Sequence, residues 1–445
     1  MPTEAVPPAT PISPSPPSQT SSQPPRRWRQ LALLGGLLSV DNGEASVLSV
    51  LFPALRAALG LPMAALGGLI AAGKLVAVVA GPAWVAVARR WPRKQVLAVC
   101  CGFWGVWTAA AGLAQNFTQL LILTTVAAAG AAGGGPLTSA MLSDLFDDRA
   151  RGRAAGLLYG LAGLGVGVAG PLLGLLSDVR DGWRYGFFAS GAVQVLFGVL
   201  VLLFLHDPGV GATDGRRADK PPPTRAQLGA LLRNRTLLLI CAQRLTTGQF
   251  ILFGFGVTFL VQVRGFSNAA ASVVTLPVML CYLGGTVFAG VVADRVHRRA
   301  PRTGRIAMMQ TALIVYGLLS YVASQVAWEP LWAYVVLFGV LGAVQGSNPA
   351  INRPIIASVT LPELRGAAFA LMLSVEAAGW ALTSLLVGYL GDAYGLQTAF
   401  LWLTVVLILA NGALVTLLYR PYARDSAALQ AQMHHRTATH ETDHQ

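Results

Sequence analysis

Charge is scarce in this chain. Asp, Glu, Lys and Arg make up 11% of its 445 residues, where a soluble domain carries roughly 25%. Acids are the scarcer sign, 19 against 32 Lys and Arg, for a formal charge of +13. Cysteine is scarcer still: Cys100, Cys101, Cys241 and Cys281 are all there are. They have neither metal-site spacing nor the pattern of a disulfide framework, and they read as small packing residues. The glycine-rich stretches 130–135 and 160–174 have no strand before them and no Lys-Ser/Thr after them, so neither is a phosphate loop. No cofactor, no metal and no catalytic constellation is expected, which excludes an enzyme.

What remains is apolar. Hydrophobic residues are 54% of the chain and the mean hydropathy is +0.58, too much for a water-facing surface. A membrane span needs about 20 apolar residues, and the charge-poor runs number about twelve. They lie near 31–54, 64–88, 96–114, 119–142, 153–176 and 185–205, then 236–261, 270–293, 305–324, 331–357, 366–390 and 398–419. About 25 of the 32 basic residues fall in the tails and even-numbered loops if the start is cytoplasmic, the positive-inside bias. Only Arg56, Arg180, Arg184 and Arg264 fall opposite, and Lys74, Arg244 and Arg353 fall within spans. Both termini are therefore expected in the cytoplasm, and the excess charge points to membrane topology rather than nucleic acid.

The expected organisation is a disordered tail over 1–27, a six-helix bundle over 28–205, a linker over 206–235, a second bundle over 236–420 and a tail over 421–445. The first tail is rich in Pro, Ser and Thr and too polar to order itself. Arg26, Arg27 and Arg29 precede a run too long for a signal peptide. The linker holds Asp207-Pro208 and Pro221, Pro222 and Pro223, and its end over 227–232 reads as an amphipathic helix. His434, His435, His440 and His444 read as a solvated, disordered tail rather than a metal site. Asn116-Phe117-Thr118 matches a glycosylation sequon, a three-residue pattern of little weight.

The halves repeat. Arg151, Gly152, Ala154, Gly165, Gly174 and Asp178 recur as Arg365, Gly366, Ala368, Gly379, Gly388 and Asp392, each offset by 214 residues. Two related bundles follow from a repeat at half length. Six spans, a basic linker and six spans resemble the major facilitator superfamily over residues 28 to 420. Its loop signature stands intact after span 8 as Gly290, Asp294, Arg295, Arg298 and Arg299. After span 2 it is altered: Val85, Arg89 and Pro92 replace Gly, Asp and Gly, while Arg90, Arg93 and Lys94 remain. The resemblance implies that Asp294 locks onto the start of span 5, and that Arg89 cannot make the matching lock at span 11.

A narrower resemblance is to Spinster-like transporters. It rests on Asp144-Leu145-Phe146, Arg151-Gly152-Arg153-Ala154, Tyr159-Gly160, Trp183-Arg184, Phe187, Asp207-Pro208 and Asp41. The Glu those proteins carry in span 4 is missing. Gly170-Pro171 with Gly174 also resembles part of the antiporter motif of drug exporters.

Ionisable groups within spans are expensive and therefore functional candidates. Asp41 and Glu44 are three apart in span 1, on one helix face near mid-depth, and Asn42-Gly43 between them is expected to loosen the helix. They form the proton-coupling site or a fixed ion pair with Lys74, two readings that are compatible because a carboxylate released from a Lys can itself titrate. Glu376 of span 11 pairs either with Arg244 of span 7, as scaffold, or with Lys74 across the bundles, as a gate. Asp294, Arg295 and Arg298 complete the gating candidates. Arg353, following Asn348 and Asn352, holds an anionic headgroup or reaches for the cytoplasmic surface. Phe253 and Tyr159 are further substrate candidates, with the span 7 aromatics facing either a cavity or lipid.

These readings give an all-α membrane protein of twelve transmembrane helices in two pseudo-symmetric six-helix bundles. The resemblances imply a secondary active transporter in the cell inner membrane, exporting a small amphiphilic or lipid-like solute in exchange for protons. Its expected partners are that solute, protons and membrane lipids; it is expected to be a monomer and to bind no nucleic acid. A multidrug/proton antiporter of the same fold and a non-transporting membrane sensor are the alternatives.

Overall fold

The computed structural model describes residues 24–146, 148–177, 179–207, 229, 231–246, 248–361 and 364–442. The first bundle holds Pro24–Leu59 (span 1), Met63–Val87 (span 2), Phe117–Ala131 with Gly134–Leu145 (span 4), Asp148–Gly174 (span 5) and Gly182–Phe204 (span 6). Span 3 runs from Arg93–Leu97 through a π-helical turn, Ala98–Phe103, into Gly105–Ala111. The second bundle holds Asn268–Ser272 with Thr275–Arg299 (span 8), Gly304–Gln325 (span 9), Leu331–Val359 (span 10) and Arg365–Tyr394 (span 11). Span 7 is broken: Arg235–Leu245, a 3₁₀ turn Gly248–Phe250, then Ile251–Gln262. Span 12 runs through Leu396–Phe400, a π-helical turn Leu401–Val406 and Leu407–Leu414. Among the described residues, ten helical stretches are individually long and apolar enough to cross a membrane, and spans 1 and 3 complete the twelve.

Several expectations change. The helix of span 1 is continuous through Asn42-Gly43, because the roughly 1 kcal/mol propensity cost of glycine is outweighed by packing, Gly43 lying against Ala169. The polar stretch beyond 420 is helical, Tyr419–Thr442, rather than a disordered tail. Its Asp425 accepts from the Thr236 backbone N–H (3.1 Å) and hydroxyl (2.7 Å), capping span 7. Asn116, read as a sequon, is a helix cap that accepts from Gln119 N–H at 2.9 Å. Asp178 and His444 lie outside the described residues, as do residues 227, 228 and 230 of the expected amphipathic helix at 227–232.

The bundles meet on one face and part on the other. On the face away from the linker, a Cβ on Gly388 would sit 2.7 Å from the Ala64 Cα, and one on Gly67 would fall on the Ser384 carbonyl. Only glycine permits spans 2 and 11 to approach so closely. Spans 5 and 8 meet likewise, Gly170 against Thr275 and Gly174 against Ser272. Towards the linker face the glycines of the same helices, Gly156, Gly160, Gly284 and Gly290, have open space beside them.

Core packing divides the same way. Leu51, Phe52 and Leu66 of the first bundle share one apolar core with Phe255, Phe259 and Leu341 of the second. Near the linker the first bundle has a separate core, with Leu31, Leu34, Met141 and Leu158. The molecule is a V, open to the linker face.

Candidate functional site

The break in span 7 sets the site. Asn411 of span 12 donates to the carbonyls of Gln243 (3.0 Å) and Thr246 (3.2 Å), and the Tyr316 hydroxyl donates to that of Gln249 (3.0 Å). These bonds satisfy backbone groups that the interrupted helix leaves unpaired, a requirement in hydrocarbon. Arg244 ends the first half of span 7, with Gln249 and Phe250 in the turn that follows. Span 10 carries Pro349 and Pro354 inside its helix. A proline at 349 has no N–H for the Gln345 carbonyl four residues earlier, and Asn348 Nδ2 reaches that carbonyl at 3.1 Å. The same amide also donates to Gln249 Oε1 at 2.8 Å, tying the broken span 7 to span 10.

Between them lies a cavity with about 540 Å³ of empty space, counting its open mouth, lined by Arg244, Phe250, Tyr282, Asn348, Asn352, Arg353 and Glu376 among others. Five residues singled out from sequence therefore converge on one wall. Arg244 and Glu376 form a bidentate pair, Nη2 to Oε1 at 2.6 Å and Nε to Oε2 at 3.1 Å. The pairing is thus within the second bundle. Phe253 stands beside the wall, edge-on to Tyr282 with centroids 5.9 Å apart. Arg353 is exposed at the mouth. Tyr159 is not on this wall: half-exposed on span 5, its hydroxyl lies 2.6 Å from Ser139 Oγ.

Lys74 reaches the second bundle from span 2, but to an aromatic ring rather than an acid. Its Nζ lies 3.7 Å from the centroid of Trp380, which stacks on Phe250 at 4.5 Å. Among the described residues no ion pair joins Lys74 to Asp41, Glu44 or Glu376, so the alternative of a fixed pair with the span 1 acids is not realised. Trp380 follows Glu376 by one helical turn and carries no charge, which is why charge pairing alone did not point to it.

The span 1 acids are instead enclosed by their own bundle. Glu44 accepts from Thr108 Oγ1 of span 3 (2.7 Å) and Gln194 Nε2 of span 6 (2.8 Å). Asp41 is 8% exposed and faces Gly134 and Cys101; a Cβ at 134 would lie 2.8 Å from both its Oδ2 and the Cys101 Sγ. The missing acid of span 4 thus leaves room that Asp41 occupies. Cys100 and Cys101 are buried free thiols, their sulfurs 3.5 Å apart. Gln194, Gln345 and Gln249 are buried amides that sequence alone could not tell from lipid-facing polar residues.

At the linker face Asp294, Arg295 and Arg298 are exposed, and so is Arg89. The altered loop has another anchor. Arg93 Nη1 contacts Asp144 Oδ2 at 2.5 Å and Nη2 contacts Asp207 Oδ1 at 2.6 Å, joining the ends of spans 4 and 6. The clasp between the bundles is at the opposite face, where Asp392 accepts from the N–H groups of Met63 and Ala64 at 2.7 Å each.

The profile of the Major Facilitator Superfamily matches residues 34–322 and 301–440. An MFS-type efflux pump of Mycolicibacterium smegmatis is 28% identical over 418 residues, 90% of this chain and 95% of that protein. A hexuronate transporter of Bacillus subtilis is 24% identical over 270 residues, 59% of this chain and 60% of its own length. The fold matches a bacterial homologue of the human lysosomal transporter Spinster, crystallised inward-facing and unoccupied, with TM-score 0.74 at 17% identity, covering 91% of this chain and 98% of that one.

Proposed function

The chain belongs to the Major Facilitator Superfamily, and from that premise we propose that it exports a small amphiphilic or lipid-like solute across the cytoplasmic membrane in exchange for protons. The observation that carries this reading is the pairing of two unlike half-sites. The first bundle holds a buried acid pair, Asp41 and Glu44, enclosed by Thr108, Gln194 and Cys101. The second holds a roomy wall with a neutralised ion pair, amides and aromatic rings.

Protons bind at Asp41 with Glu44 one helical turn away. The solute binds against Asn348, Asn352, Arg353 and Phe253, with Tyr159 facing it from the first bundle. Arg244–Glu376 holds spans 7 and 11 together as the bundles rock, and Lys74 on Trp380 is the contact between bundles that rocking makes and breaks. Asp294, Arg295 and Arg298 engage when the linker face closes. Both termini are cytoplasmic, so the V opens inward. The name of the Mycolicibacterium relative supports export, and the likeness of spans 4 to 6 to Spinster-like proteins supports an amphiphilic solute.

Purified protein in liposomes with an internal pH dye tests the reading. Lysophospholipids and cationic drugs are added singly to wild type and Asp41→Asn. Solute-driven proton flux present in wild type and absent in the variant supports exchange; equal flux in both makes Asp41 structural and sinks the site assignment. A multidrug antiporter is the second reading, favoured by the Phe250–Trp380 stack, and flux driven by cationic drugs alone would select it.

A further inference from the structure

The wall of the cavity has more positive charge than its own acid answers. Arg244 and Arg353 line it with Glu376 as the one carboxylate, and Lys74 brings a third cation to Trp380, one turn from Glu376. Both oxygens of Glu376 are already engaged by Arg244. That leaves Arg244 Nη1 buried without a partner, along with both amide atoms of Gln345 and Asn352 Oδ1. Arg244, Gln345 and Asn352 are 3%, 2% and 2% exposed, and all three line the cavity. A buried polar group with no partner carries a desolvation cost, and three such groups on one wall mark a place where a ligand supplies the missing bonds. Because the two ends of an amide are interchangeable by a flip of the terminal torsion, Gln345 and Asn352 can each turn an NH₂ toward a ligand.

The geometry points to an oxyanion, a carboxylate or phosphate head, as the group this wall binds. Arg244 Nη1 and the Gln345 amide donate to it, Asn352 turns its amide to the same oxygens, and Arg353 draws it in from the mouth. A charged guanidinium donor gives stronger bonds than a neutral one. A cationic head would instead meet Arg244 and Arg353 with no free carboxylate to balance it. This rests on the transport reading only in calling the ligand a substrate; the wall itself is independent of Asp41 and of proton flux.

The test uses the full chain in nanodiscs and matched probes: hexyl phosphate, hexanoate, hexyltrimethylammonium and inorganic phosphate, titrated by calorimetry. Hexyl phosphate and hexanoate are expected to bind at least about tenfold more tightly than hexyltrimethylammonium, a difference of about 1.4 kcal/mol. Gln345→Ala and Arg353→Ala, which leave the Arg244–Glu376 pair intact, are each expected to weaken the anionic probes by about tenfold and leave the cationic one unchanged. Equal or tighter binding of the cation, no binding of either anion, or anion binding indifferent to both substitutions overturns the proposal. Inorganic phosphate binding as tightly as hexyl phosphate upholds the oxyanion site while removing the amphiphile from the transport reading. Loss of proton coupling in liposomes, by contrast, touches Asp41 alone.

Discussion

The carboxylate of Asp392, at the end of span 11, caps the first backbone N–H of span 2 at Met63, 2.7 Å away, and the next at Ala64 at the same distance. One acid thus holds the two bundles together on the face away from the linker. The physics is that of any anion at a helix N-terminus, where unpaired donors and the helix dipole favour negative charge. Removing such a cap costs about 0.5–2 kcal/mol. Asp392→Ala is therefore expected to raise the population open on that face by roughly 2- to 30-fold. With the native cysteines replaced, a single cysteine at Ser384, now 1% exposed, should label faster by that factor. An unchanged rate would mean that packing alone holds the face closed.

Packing on that face should be testable separately. Gly67→Ala forces a methyl onto the Ser384 backbone, whereas Gly160 has nothing within 4 Å. Gly67→Ala is expected to impair transport and speed labelling at the same face; Gly160→Ala is expected to do neither. Overpacking of this kind typically costs about 1–3 kcal/mol, which thermal unfolding in detergent would register for the first variant and not for the second.

The half-length repeat, the twelve spans and most of one site were legible in the sequence because each leaves a one-dimensional trace. Apolar runs set the spans, and Arg244, Glu376, Asn348 and Asn352 stand out as polar residues in apolar surroundings. What was not legible depends on partners distant in the chain. Span 1 was expected to loosen at Asn42-Gly43 and is continuous there; the interruption is in span 7, after Leu245, where Asn411 of span 12 satisfies the freed carbonyls. Lys74 was offered an acid partner only as one alternative, in span 1 or at Glu376, and it meets Trp380 instead, since an uncharged ring gives no sign from composition that it faces a cation. The intact loop signature pointed to Asp294 as the clasp, but the bond that is formed belongs to Asp392, the acid that closes the second copy of the repeat.

The Arg244–Glu376 pair gives a stability prediction. Removing one member of a buried pair leaves an uncompensated charge and costs about 3–5 kcal/mol. Arg244→Ala should therefore lower the thermal midpoint strongly, and Glu376→Gln should do so too. The double variant Arg244→Ala/Glu376→Gln should be less destabilised than the sum of the two. Strict additivity in this cycle would show that the two groups do not act on each other.

Glu44 gives the last test, because its two donors come from two other helices. Thr108 and Gln194 hold its carboxylate oxygens at 2.7 and 2.8 Å, and a hydrogen bond to a charged group is worth about 1.5–3 kcal/mol. Thr108→Val keeps the shape of the side chain and removes the donor. If Glu44 tunes the proton site, this variant should shift the pH midpoint of solute-driven flux in liposomes while leaving solute affinity at the opposite wall unchanged. If Glu44 only ties spans 1, 3 and 6 together, the thermal midpoint should fall and the pH profile should stay where it is. Thr108→Ser, which restores the hydroxyl, separates the two: it should return the pH midpoint to the wild-type value even where it leaves a small cavity and a lower melting temperature.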